Sequence, residues 1–306
     1  MGLRLSRVAV IGFGEAGGIL GSELAALGRF AVATYDILLA DPARRGAMEA
    51  KARAAKVESA ASLATALTGA DLVISAVTAG EARKVAEEAA GLLRPGQILL
   101  EINSVSPETR RGNAARIEGA GADYVEAAVM APVPPQRLRV PMLLGGKRAA
   151  ELAECLTGLG MKADAVATGI GTASAIKMCR SIMVKGLEAL TTECLLTARR
   201  YGAEDAVLAS LEATYPGIGW NGKLPDYLVS RAAEHGRRRS EEMGEVVQTL
   251  LDAGIDPLLS RAIAQRQAWL PQAMQEAGIA YEEPFSCRKL ADALASLPAR
   301  AKKSAE

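Results

Sequence analysis

The sequence predicts an α/β domain built on a doubly wound parallel sheet, followed by an all-helical domain. Three observations predict it. Short apolar runs alternate with helical patterns through residues 1–166, a glycine-rich turn follows the first run, and from residue 168 onward the alternation stops while three-and-four apolar spacing continues. Residues 1–166 therefore form the first domain and residues 167–306 the second, which opens on a long interdomain helix.

Half of the 306 residues are apolar, enough for two domains with real cores. Lys plus Arg number 36 against 35 Asp plus Glu, a net charge of +1, so no overall field favours nucleic acid or an anionic membrane surface. The cysteines Cys155, Cys179, Cys194 and Cys287 form no CxxC pair and the chain has one histidine, which argues for reduced core thiols in a cytoplasmic protein and against a zinc site. The amino terminus runs into a strand and a glycine turn instead of a signal segment, and no apolar run reaches the roughly 18 residues that span a bilayer.

The first element is an apolar run over residues 8–11, followed by Gly12-Phe13-Gly14-Glu15-Ala16-Gly17 and a helical pattern that Gly28 closes. The second strand, residues 30–35, ends at Asp36, 19 residues after Gly17. This is the dinucleotide-binding signature of a Rossmann sheet. Gly12 permits the tight turn, Gly14 lets the backbone approach a pyrophosphate, Gly17 allows close helix packing, and the helix start supplies unpaired N–H groups. Asp36 is placed to accept from the adenosine ribose hydroxyls and to repel a 2′-phosphate, so NAD is the expected cofactor. Arg44 and Arg45, if they reach back, leave NADP as the alternative.

Helices over residues 42–55, 63–67 and 81–93 alternate with strands near Val57 and over 71–77 and 97–102. Ligands in such sheets lie beyond the carboxyl ends of the strands, where Val77, Thr78, Asn103 and Ser104 are placed to meet a nicotinamide or a substrate. Ser106 reads as the cap of the helix starting at Pro107. A sixth strand over residues 124–130 leads into Ala131-Pro132-Val133-Pro134-Pro135, whose prolines predict a rigid loop without regular structure. Strands over 142–145 and 161–166, flanking a helix over 149–159, extend the sheet.

The second domain opens with the longest helical pattern, entered through Gly169 and Gly171, with Thr172 as expected N-cap and Gly202 as C′ residue. Ile176, Cys179, Met183, Leu187, Leu190, Cys194, Leu195 and Ala198 share one stripe of this helix. Lys177 lies in the first two turns among Ile176, Met178 and Cys179, a setting that suits acid/base work; the plain alternative is a surface lysine. Helices follow over 203–214, 227–253, 257–277 with Pro271 inside, and 288–297, and residues 299–306 are expected to fray. Leu250, Leu251, Leu258, Leu259, Trp269 and Leu270 are expected to bury part of their surface against a second subunit, giving a homodimer.

These motifs resemble the β-hydroxyacid dehydrogenase superfamily, which includes 3-hydroxyisobutyrate, tartronate semialdehyde and 6-phosphogluconate dehydrogenases. The loop that this family writes Asp-x-Ser-Thr-x-Ser-Pro appears as Glu101-Ile102-Asn103-Ser104-Val105-Ser106-Pro107. The substrate loop, Asp-Ala-Pro-Val-Ser-Gly-Gly in the family, aligns with the stretch from Glu126 through Met130, Ala131 and Pro132, which lacks the serine and both glycines. The family's glycine and lysine match at Gly171 and Lys177, while Arg180 and Ser181 occupy the asparagine positions. The resemblance is to a divergent subgroup, phosphogluconate-dehydrogenase-like with its own carboxyl-terminal domain.

The resemblance implies hydride transfer between a nicotinamide cofactor and a small hydroxyacid, polyol or related alcohol or carbonyl compound, with Lys177 as general acid/base. It makes Ser104, Met130, Ala131, Pro132 and Ser181 the substrate-side candidates. The superfamily also places its active site between its two domains. His235, Arg238 or Arg239, and Glu242 share a helical face, and His235 and Arg238 are candidates for holding an anionic or polyhydroxylated substrate; the alternative is a solvated basic face. Two other functions stand beside this one. The lost substrate-loop residues favour a non-catalytic dinucleotide sensor, and shared architecture suggests a C=N reductase of the imine reductase type, although those commonly lack the lysine.

Overall fold

A computed structural model describes residues 3–295 of the chain; the expected helix end at residue 297 and the frayed stretch 299–306 lie outside the described residues. The chain divides into two compact units after Met178, inside the helix Thr172–Arg200; the sequence places the domain boundary at residues 166 and 167. The elements of the first unit are β1 Arg7–Ile11, α1 Glu15–Ala26, β2 Ala31–Tyr35, α2 Pro42–Ala54, β3 Glu58–Ser59, α3 Leu63–Leu67, β4 Leu72–Ser75 and α4 Ala79–Ala90. They continue with β5 Ile98–Glu101, α5 Pro107–Gly119, β6 Asp123–Val129, α6 Val133–Gln136, β7 Pro141–Gly145, α7 Ala149–Gly158 and β8 Lys162–Ala167.

The eight strands form one sheet in the order β3-β2-β1-β4-β5-β6-β7-β8. Strand order reverses between β1 and β4, which opens a crevice at their carboxyl ends. Along β1 the side chains alternate between two cores: Val8 and Val10 join Leu20, Leu24, Met48 and Leu152, while Ala9 and Ile11 join Leu63, Leu67 and Ile117. Helices therefore cover both faces, as strands apolar at every position require. One pair departs from the parallel pattern, since β7 runs antiparallel to β6. No crossover helix is needed there, because the short β6–β7 connection turns the chain straight back. Within that connection the expected irregular loop is corrected: Val133–Gln136 makes one helical turn with a proline in its first positions. A first turn uses no N–H donors, so its prolines cost it nothing.

The second unit holds the rest of α8 Thr172–Arg200, then α9 Glu204–Thr214, α10 Leu224–Asp252, α11 Leu258–Glu276 and α12 Cys287–Ala295. Its core gathers Leu195, Leu208, Trp220, Leu228, Val229, Ala232, Leu270, Met274 and Leu290. Helices α10 and α11 approach closely at Gly236, where a Cβ would stand 2.2 Å from the Gln267 carbonyl and 2.9 Å from Pro271 Cδ. Pro271 lacks the N–H that this carbonyl, four residues back, would otherwise accept. No described helix is long and apolar enough to cross a membrane.

The Thr172 cap expected for α8 is corrected, and the apolar stripe of that helix does not face the core for most of its length. Thr172 is the first helical residue, and Ala175 N–H bonds the Gly171 carbonyl, so Gly171 holds the cap position. The apolar stripe is also the outward one for most of its length: Ile176, Cys179, Met183, Leu187, Leu190 and Cys194 are exposed, Met183 at 65% and Leu190 at 68%, and only Leu195 and Ala198 are buried. The buried face instead carries Ser181, Lys185, Glu188, Thr191 and Thr192. It is tolerated because its charges are paired, Lys185 Nζ with Glu242 at 3.0 Å and Glu188 with Arg239 at 3.0 Å. Gln267 Nε2 adds a 2.9 Å bond to Glu188, whose carboxyl burial still holds above the usual range.

The cysteine expectation changes with this. Only Cys287 is a core thiol, pushed up to about 12 by burial; Cys155 is half-buried, and Cys179 and Cys194 are exposed. In the leucine cluster Leu270 is buried, while Leu251, Leu258, Leu259 and Trp269 are exposed.

Candidate active site

The glycine turn joins β1 to α1 at the crevice. Gly12 has φ +84°, and a Cβ on it would stand 2.6 Å from the Ala76 carbonyl. A Cβ on Gly17 would come within 2.0 Å of the Gly12 carbonyl, so both glycines are required by packing. Gly14 faces open space, and α1 starts there with no side-chain cap. This fits a dinucleotide: a concave backbone, free helix-end amides, and a glycine where a pyrophosphate would lie against the chain. Glu15 and Ala16 form the first turn of α1. Phe13 offers only backbone, because its ring is fully buried beneath Gly21.

Asp36 directly follows β2 and is 9% exposed. Its carboxylate accepts from Phe13 N at 2.7 Å and from Leu38 N at 2.9 Å, which ties the glycine turn to the carboxyl end of β2. Arg45 Nε donates to the Leu39 carbonyl and Arg44 pairs with Asp41, so both guanidinium groups are engaged locally. Sequence reasoning missed Lys51. From α2 its ammonium donates to the Phe13 and Gly14 carbonyls at 2.5 and 2.7 Å, bracing the turn.

The ends of β4 and β5 are fastened together. Asn103, 3% exposed, accepts from Val77 N at 2.7 Å and donates to Ser75 Oγ and Glu101 Oε1, so it holds the Val77-Thr78 turn with a side chain that is fully occupied. Beneath it lies a buried network. Glu101 Oε2 accepts from Tyr124 at 2.6 Å and Asn113 at 3.0 Å, and Arg110 donates to the carbonyls of Glu101, Asn103 and Ala127. Burial opposes the Arg110 charge, but Glu101, Tyr124 and Glu126 together outweigh it and hold the guanidinium above its ordinary value. Burial, then Glu101, push the Tyr124 phenol well up, so it remains a donor.

Above this network Lys177 Nζ donates to Ser104 Oγ at 2.6 Å. Of the expected substrate-side residues, Met130, Ala131 and Pro132 follow directly on β6, and Ser106 serves as the α5 cap. Ser181 lies in the second unit, where it accepts from Lys185 Nζ at 3.2 Å. His235 and Arg238 lie there as well, on α10. His235 Nε2 is 3.3 Å from Glu234, and burial, then Arg231, lower its pKa, so the imidazole is neutral near pH 7. Arg238 is largely exposed, 3.9 Å from Glu242; the guanidinium turned inward is Arg239. The missed residues had one signal in the sequence: Glu101 and Glu126 are carboxylates inside apolar strand runs, where a charge requires donors.

Residues 7–169 match the NAD binding domain of 6-phosphogluconate dehydrogenase, and residues 198–270 match a domain of unknown function, DUF1932. A conserved hypothetical protein from Sinorhizobium meliloti 1021 is 38% identical, with 95% of this chain and 96% of that one covered at a TM-score of 0.82. An uncharacterized 28.5 kDa protein of Methanothermus fervidus is 30% identical over 192 residues, 62% of this chain and 71% of that protein. The 3-hydroxyisobutyrate dehydrogenase of Mycobacterium tuberculosis shares the fold at 18% identity, with 95% and 99% of the chains covered at a TM-score of 0.72. With its glycine turn and the sequence on either side of it accounted for, the chain belongs to the family of the 6-phosphogluconate dehydrogenase NAD-binding domain, in the divergent subgroup where that domain precedes a helical DUF1932 domain.

Proposed function

We propose that the protein is an NAD-dependent dehydrogenase or reductase acting on a CH–OH group or its carbonyl, with Lys177 as general acid/base. The observation that carries this reading is the 2.6 Å bond from Lys177 Nζ to Ser104 Oγ, at the same carboxyl edge as the glycine turn. A bound nicotinamide supplies the hydride acceptor or donor. Lys177 then manages the proton: Nζ takes it from the substrate hydroxyl in oxidation and returns it to the carbonyl oxygen in reduction. Ser104 fixes the direction of Nζ and offers a second hydrogen-bonding group to that oxygen.

The substrate class proposed is a small hydroxyacid, polyol or related alcohol. His235 and Arg238 are proposed contacts for an anionic or polyhydroxylated substrate, His235 as a neutral imidazole. The test is a screen of hydroxyacids, polyols and phosphorylated sugars with both cofactors in both directions, followed by NADH absorbance. Turnover of any of them supports the reading, and a preference for anionic members supports the His235 and Arg238 assignment. Tight NADH binding with no turnover across the panel would favour a dinucleotide sensor.

NADH is expected to bind roughly tenfold or more tightly than NADPH, about 1.4 kcal/mol, because Asp36 presents a carboxylate where a 2′-phosphate would lie. Fluorescence titration with each nucleotide checks this, and equal affinities would remove Asp36 from cofactor selection. We also propose a homodimer formed through the helical unit, supported by the exposed Met183, Leu187 and Leu190 on α8 and by Leu251, Leu258 and Leu259. Replacing both Leu187 and Leu190 with Glu is expected to yield a folded monomer in sedimentation equilibrium, whereas an unchanged mass would clear this face.

A further inference from the structure

We infer that Glu126 is a positioning residue for Lys177, a role that takes its functional meaning from the proposed function but is testable without a substrate. Glu126 lies in β6, fully buried. A carboxylate that deep requires several donors, and it has four. Oε1 accepts from Gly171 N at 2.6 Å and Ala173 N at 3.1 Å, and Oε2 accepts from Ser174 N at 3.3 Å and Ser174 Oγ at 2.7 Å. The three amides are those the start of α8 cannot satisfy within itself, at the positive end of its dipole. A Ser or Thr cap would have bonded the helix to itself. A carboxylate from a strand bonds it to the sheet.

The register shows what this attachment fixes. Glu126 pairs with Glu101 of β5, and Glu101 leads into the loop that carries Ser104. Lys177 follows Ser174 by three residues, one turn further along α8. Both partners of the Lys177–Ser104 bond are thus referred to one pair of neighbouring strand positions. Surrounding glycines keep the space clear, since a Cβ on Gly145 would stand 2.7 Å from Glu126 Oε1. Removing the carboxylate is expected to free the first turns of α8 from the sheet and with them Lys177.

Competitive acetylation of the nucleotide-free full chain reads this directly, with Lys177 compared with Lys147 and Lys162 of the same unit in one mass-spectrometric digest. In Glu126→Ala the Lys177 labelling rate is expected to rise roughly fivefold or more, as the capped turn opens, with Lys147 and Lys162 unchanged. Glu126→Gln keeps an acceptor oxygen for Gly171 and Ala173 and should give a smaller rise; it carries the test if Glu126→Ala does not fold. An unchanged Lys177 rate in the folded variants overturns the inference, as does a parallel rise at all three lysines, which would mean general loosening. Neither result touches the catalytic reading, which stands or falls on the activity of a Lys177 variant.

Discussion

Lys177→Ala is expected to lower turnover by roughly two to four orders of magnitude while leaving NADH affinity within about twofold of the parent, the usual consequence of removing one acid/base group. The separation follows from the geometry. The groups proposed to hold the dinucleotide gather around the glycine turn, with the Asp36 carboxylate behind it and the start of α1 beside it, whereas the Lys177 ammonium, near the start of α8, bonds Ser104 beyond β5. Calorimetric titration of NADH and steady-state kinetics on any substrate from the screen measure the two quantities. If the variant keeps most of its turnover, Lys177 does not carry the proton.

Arg110→Met is expected to be the most damaging single change to the nucleotide unit, at about 3–5 kcal/mol. The guanidinium is 1% exposed and donates to the carbonyls of Glu101, Asn103 and Ala127. Methionine fills much of the space but leaves three carbonyls without this donor and the Glu101 carboxylate without its cation. Urea unfolding monitored by circular dichroism reads the loss, and Arg110→Met combined with Glu101→Gln should recover part of it, because the stranded charge is then gone. A single variant within about 0.5 kcal/mol of the parent would show the network to be ornamental to stability.

Much of the first unit was legible in the sequence because its signals are local. A strand buried on both faces is an apolar run, a turn that needs positive φ is a glycine, and Asp36 stands at the strand end that follows. The family match spans residues 7–169, the stretch that holds those features. What was not legible depends on partners far along the chain. The period of α8 is plain, but its inward face is the polar one, because Glu242, Arg239 and Gln267 come from α10 and α11. Apolar spacing assigns the inside to leucine by default and has no means of seeing a paired lysine. Thr172 was the expected cap for the same reason, since a cap is sought beside its helix, whereas Glu126 arrives from 45 residues upstream to bond Gly171. Arg110 reads as one basic residue of a surface helix until the carbonyls of two strands and a loop converge on it.

The polar face of α8 also bears on how the chain is made. Glu188 meets Gln267 across 79 residues of sequence, so when α8 leaves the ribosome the groups that neutralise its inner face have not been synthesised. Its outer face carries Met183, Leu187 and Leu190, and until then water solvates the polar inner face, which can be buried only when its partners arrive. Translation must pass Gln267 before the segment can close, and a carboxyl-terminal deletion ending ahead of α11 would strand Glu188 in a partly built core. Fragments for expression should therefore keep α11 whole or stop before α8 begins.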